Sequence, residues 1–211
     1  MFSRWPFGSK KAKSQHSDRW IFGTMLAFGI VGLIASFVLS VEKVHLLQNP
    51  DAVLSCSINI VLNCSTVMQT WQASVFGFPN SFIGLIAYPV VITVAIIGLA
   101  GAAAVLPKWF WRTAVICYAL GAVFAYWLFF NSLYVIEVLC PWCLFVTFAT
   151  TILIASIKNY AIRENVWQFG KPTHKKLLGL LEKDVDKVVV VAWLVILVAL
   201  VLMKFGDSLF L

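Results

Sequence analysis

Cys140-Pro141-Trp142-Cys143-Leu144-Phe145-Val146-Thr147-Phe148-Ala149-Thr150-Thr151-Ile152-Leu153-Ile154-Ala155-Ser156-Ile157 joins a thiol pair to an apolar run. A Cys-x-x-Cys spacing allows a reversible disulfide and favours the thiolate. Pro141 suits the first turn of a helix, where its missing N–H has no intrahelical partner anyway. Cys140 then falls near the N-cap and Cys143 in the first turn, where the positive end of the helix dipole stabilises a thiolate. The residues that follow carry no charge as far as Ile157, so the helix continues into a bilayer. A reactive thiol at the end of a membrane span lies within reach of a lipid-soluble oxidant.

The rest of the chain agrees with a membrane setting. Of 211 residues 61% are hydrophobic and 12% charged, and the mean hydropathy is +0.91. A water-soluble globule of that composition would leave too much apolar surface exposed. Spanning a bilayer takes roughly 20 apolar residues, and five stretches supply them, near 20–41, 81–106, 113–132, 140–157 and 188–205. The first reads as a retained helix, since no small-residue cleavage pattern precedes Glu42. The expected fold is an all-α integral membrane protein, with a basic tail over 1–19, a four-helix core over 20–157, an outer loop over 42–80, a connector over 158–187 and a fifth span within 188–211.

Charge then orients the spans. Fourteen of the 16 Lys and Arg residues fall before span one, between spans two and three, or between spans four and five; Lys43 and Lys204 do not. The positive-inside tendency puts that side in the cytoplasm, with the N-terminus inside and the C-terminus outside. The formal charge of +7 is thereby explained by topology and anionic lipid, and no basic stripe with interleaved aromatics suggests nucleic acid. A second pair, Cys56 and Cys64, lies in the first outer loop, so both pairs face one oxidising compartment. After it, Trp71, Phe76 and Phe78 form an aromatic, interfacial, lid-like run, and Gly77 and Pro79 turn the chain into span two.

These features together resemble the vitamin K epoxide reductase family, in its bacterial quinone-reducing branch without a fused thioredoxin-like domain. The resemblance is carried by Cys56-x7-Cys64, by Ser74-Val75-Phe76-Gly77-Phe78-Pro79-Asn80-Ser81 and by Cys140-x-x-Cys143, in that order, over about 20–157. DsbB proteins, which do similar chemistry, carry the two kinds of pair in the opposite order. The resemblance implies a four-helix bundle around a quinone, with menaquinone favoured, in a bacterial inner membrane. It also implies a DsbA-like thioredoxin-fold partner in the periplasm or exterior. Electrons would pass from that partner to a Cys56–Cys64 disulfide, from Cys64 to Cys140, and from Cys143 to the quinone. Alternatives are reduction of vitamin K epoxide itself, or a bundle with structural or metal-bound cysteines.

In the animal branch an Asn opening span two and a Tyr four residues beyond the last Cys hold the quinone. Asn80 matches the first, although Asn is also an ordinary helix N-cap. Thr147 stands at the second, which favours plain quinone reduction over epoxide reduction. Phe129, Phe130 and Tyr134 are candidate wall residues, with lipid-facing packing as the plainer role. Cys117 reads as a small hydrophobe in mid-span, and Glu137 as a solvated turn acid.

Overall fold

The computed structural model describes residues 10–209 apart from 51, 53, 58 and 60, with backbone alone for 10–17 and 207–209. Of the basic tail, Arg4 lies outside the described residues. Among the described residues seven α-helices run in chain order: α1 (Lys10–Gln48), α2 (Cys64–Gln69), α3 (Ser81–Leu99), α4 (Lys108–Asn131), α5 (Pro141–Arg163), α6 (Lys171–Glu182) and α7 (Val185–Leu209). Five of them are long and apolar enough to cross a membrane, over Asp18–Gln48, Ser81–Leu99, Lys108–Ile136, Pro141–Arg163 and Val185–Gly206. The chain is an all-helical membrane bundle.

α1 packs against α3 and α5, and α5 also carries α4 and α7. α3 and α4 meet through long side chains, Tyr118 Oη of α4 donating to the Ala87 carbonyl of α3 at 2.9 Å. Small residues let α1 and α3 approach: a Cβ on Gly84 would lie 2.1 Å from Ser36 Oγ, and one on Gly32 2.2 Å from the Tyr88 ring. Lipid tails are as apolar as leucine, so such close van der Waals fit is what holds helices together in a membrane. At the basic end Phe22, Trp111 and Tyr160 cluster, with ring centroids 5.0 Å apart for Phe22–Tyr160 and 4.3 Å for Trp111–Tyr160. Arg163 reaches Asp18 of α1 at 3.6 Å and Asn159 at 2.7 Å, and Asn159 holds Asp186 of α7 at 2.7 Å. This chain of polar contacts ties three helices at the end away from the cysteines.

Helix limits differ from the sequence expectation where local chemistry competes with hydropathy. α1 continues through Gln48, so Glu42 and Lys43 are helical and the outer loop starts later than residue 42. α3 stops at Leu99 because Gly101, at φ +78°, takes the left-handed turn that closes a helix. α4 begins at Lys108, behind Pro107, and its last turn widens into a π turn over Ser132–Ile136. The connector between spans four and five contains the separate helix α6.

Candidate active site

The two cysteine pairs meet at one end of the bundle. Cys56 and Cys64 form a disulfide with Cα atoms 5.6 Å apart. Cys140 and Cys143 are free thiols, and Cys64 Sγ lies 3.4 Å from Cys140 Sγ. Both sulfurs are buried, Cys64 at 0% and Cys140 at 1% exposure, so exchange between them excludes water.

A two-point backbone bridge sets this contact. Leu139 N–H donates to the Val61 carbonyl at 2.7 Å, and Asn63 N–H donates to the Leu139 carbonyl at 3.0 Å. Each bond lies immediately before or within a few residues of Cys64 or Cys140, so the register of the loops is the register of the sulfurs. Asn63 also caps α2, accepting from Thr66 N–H at 3.2 Å and from Ser57 Oγ at 3.0 Å. Asn59 Oδ1 accepts from Val61 N–H at 3.0 Å and Leu62 N–H at 2.7 Å. Short polar side chains that fold their own backbone in this way give a loop a defined shape. The Cys64 loop is therefore built, with its second cysteine seated at the first turn of a helix.

Across from it, Cys140 is the N-cap of α5 and Pro141 occupies the first turn. The Cys140 sulfur accepts from Cys143 N–H at 3.4 Å. A hydrogen bond from the Cys143 thiol and those from the Cys143 and Trp142 backbone hold the Cys140 thiol below the ordinary thiol range, against the opposing effect of burial. Cys140 is thus the cysteine of the inner pair that lies against the outer one.

Beneath the sulfurs lies a cavity of about 330 Å³ between α1, α3, α4 and α5. Its roof is the single turn Trp71–Ser74. Asn80 fastens the roof, donating from Nδ2 to the Gln72 carbonyl at 2.6 Å and accepting from Val75 N–H at 3.2 Å. Aromatic contacts extend it onto α4, with Trp71–Trp127 centroids 5.9 Å and Phe76–Phe124 centroids 5.5 Å apart. The cavity wall is largely hydrocarbon, and its volume suits a flat ring of drug-like size.

Cys140, Cys143, Asn80, Phe129 and Thr147 all line this cavity. Asn80 makes no side-chain helix cap, its amide being engaged with the lid. Thr147 Oγ donates to the Cys143 carbonyl at 2.9 Å. Phe130 and Tyr134 lie away from the cavity: they stack on each other with centroids 6.4 Å apart and are 37% and 54% exposed. The helical period explains this, because Gly121, Ala125, Leu128 and Phe129 take the inward face of α4 and residue 130 falls beyond it. Cys117 is exposed and lines the cavity on α4, so it is not a packed core thiol. Glu137 takes a left-handed turn and pairs with Lys204 of α7 at 2.6 Å. Hydropathy and motif reading passed over Lys43, Gln72 and Tyr88, which also line the cavity. Tyr88 is held by Thr150 Oγ1 at 3.0 Å. The signal available for Lys43 was its spacing of seven from Ser36 on one helix face.

The model of the vitamin K epoxide reductase family matches residues 24–157. The match runs from Thr24 within α1 to Ile157 within α5 and takes in all four paired cysteines. A comparison with curated proteins returned no match.

Proposed function

The chain belongs to the vitamin K epoxide reductase family, and from that premise we propose that it oxidises a thioredoxin-fold, DsbA-like protein and delivers the electrons to a membrane quinone. Membership makes it a membrane oxidoreductase. The finer assignment is supported above all by the 3.4 Å contact between Cys64 and Cys140. Menaquinone is the favoured acceptor, and the membrane is the bacterial cytoplasmic one, with the cysteine end facing the periplasm or exterior.

A partner dithiol reduces the Cys56–Cys64 disulfide and leaves as a disulfide, so two electrons and two protons enter the outer pair. The Cys64 thiolate then attacks Cys140 in the Cys140–Cys143 disulfide; a Cys64–Cys140 bond forms and Cys143 leaves as thiolate. Cys56 attacks Cys64, regenerating the Cys56–Cys64 disulfide and freeing Cys140, whose lowered thiol affinity for protons makes it a good leaving group. Cys140 and Cys143 then give two electrons and two protons to a quinone in the cavity, which becomes the hydroquinone, and their disulfide re-forms. Phe129 would pack the ring, with Asn80 and Thr147 among the polar residues of the wall.

Proteoliposomes holding the full chain, a reduced thioredoxin-fold protein and a menaquinone test this directly. Loss of partner thiols should match hydroquinone formation one dithiol to one quinone. Cys143→Ala should abolish both, and undiminished quinone-dependent oxidation in that variant would sink the proposal.

A further inference from the structure

The two expected polar contacts have little left to offer a ligand. Thr147 spends its only hydrogen on the Cys143 carbonyl, so it cannot donate to a ketone oxygen. Asn80 keeps one amide hydrogen after binding the Gln72 carbonyl. On the lid side of the same cavity stand two other donors. Gln72 is buried at 6% exposure and lines the cavity, and its side-chain amide bonds to no described residue. Lys43 lines the cavity from α1 and uses one of its three ammonium hydrogens on the Met68 carbonyl at 2.5 Å. Both reach the roof of the site, since Met68 lies in the last turn of α2 and Gln72 sits in the lid turn. An amide that faces the cavity without a protein partner keeps its hydrogens for a ligand oxygen.

We propose, on the quinone-reduction reading above, that Gln72 and Lys43 are the donors that bind the quinone's carbonyl oxygens and take over the contact Thr147 cannot make. An oxidised quinone is an acceptor-only head on an apolar ring, which matches two donors set in a hydrocarbon wall. An ammonium has no acceptor, so Lys43 also favours the quinone over its hydroquinone, whose hydroxyls need acceptors.

Binding of 2,3-dimethyl-1,4-naphthoquinone to the purified full chain, read by quenching of tryptophan fluorescence, tests this without turnover. Gln72→Met and Lys43→Met should each raise Kd about tenfold, while Lys43→Arg should stay within about threefold of wild type. Hydroquinone should bind wild type more weakly than quinone, and Lys43→Met should narrow that difference. A methionine variant that binds as tightly as wild type overturns its residue's role. Should one variant lose the lid fold, seen as failure to form the Cys64–Cys140 bond in a Cys56→Ser background, the other decides. Absence of binding by the wild type itself would instead overturn the quinone reading and this inference with it.

Discussion

Leu139 joins two loops whose cysteines are 76 residues apart, and the consequence is chemical. With Val61 and Asn63 bonded to it, Cys64 has Cys140 as its neighbour and Cys56 as its covalent partner. In Cys56→Ser the resolving thiol is gone, so a Cys64–Cys140 bond should accumulate and appear in non-reducing mass spectrometry. Cys64→Ser should leave no such species, and a Cys56–Cys140 link there would reverse the order of the relay. The Cys143 thiol is the first cause of the lowered Cys140 proton affinity. A lowered value means that thiolate appears at lower pH than for an ordinary thiol. Removing that donor must move the midpoint up, so the thiolate absorbance assigned to Cys140 by difference should titrate at higher pH in Cys143→Ala than in wild type. Roles of this kind were legible in part: the cysteines announce themselves by spacing, and Pro141 fixes the helix start. Leu139 does not, because it works through its backbone and any residue but proline presents the same N–H.

At the scale of elements, hydropathy located the five spans but not their ends. Gly101 and Pro107 terminate and begin helices within apolar sequence, so backbone geometry wins over side-chain character there. α2 escaped notice because six residues are too few to show a helical period, although Asn63 before it is a recognisable cap. Phe130 and Tyr134 were out of phase for the same kind of reason: an all-apolar membrane helix has no polar face to mark its inside. Packing of α1 on α3 is where element-scale stability concentrates. Gly84→Ala forces a methyl group against Ser36 and should destabilise the detergent-solubilised protein by about 1–3 kcal/mol. Gly23→Ala meets nothing within 4 Å and should change stability by less than about 0.5 kcal/mol. Thermal unfolding of the two variants side by side checks this, and equal melting points would show that the helix contact is not tight.

For the whole molecule, the two ends of the bundle have different chemistry and a relay needs them to stay apart. Cys56, Cys64, Cys140 and the lid gather at one end. The opposite end holds Arg112 bonded to the Val166 carbonyl at 2.9 Å, Arg163 against Asp18, and the basic helix α6. Positive charge in short connections resists translocation, so on the proposed orientation the thiols would lie on the side where disulfides persist. α7 lies beyond the residues matched by the family yet buries Leu197 and Phe205 with Phe129, Leu133 and Leu139. That cluster supports Leu139 from behind, so the added helix reaches the register of the sulfurs through packing. A Leu197→Ala cavity should cost about 2–5 kcal/mol if the site cannot collapse and should also slow Cys64–Cys140 exchange, measured in single turnover. Orientation is tested on the same protein in sealed right-side-out vesicles. An impermeant maleimide should label Ser57→Cys from outside and Lys183→Cys only after the membrane is opened. Labelling of both from one side would place the thiols and the basic helix in one compartment, where charge bias and disulfide chemistry demand opposite conditions.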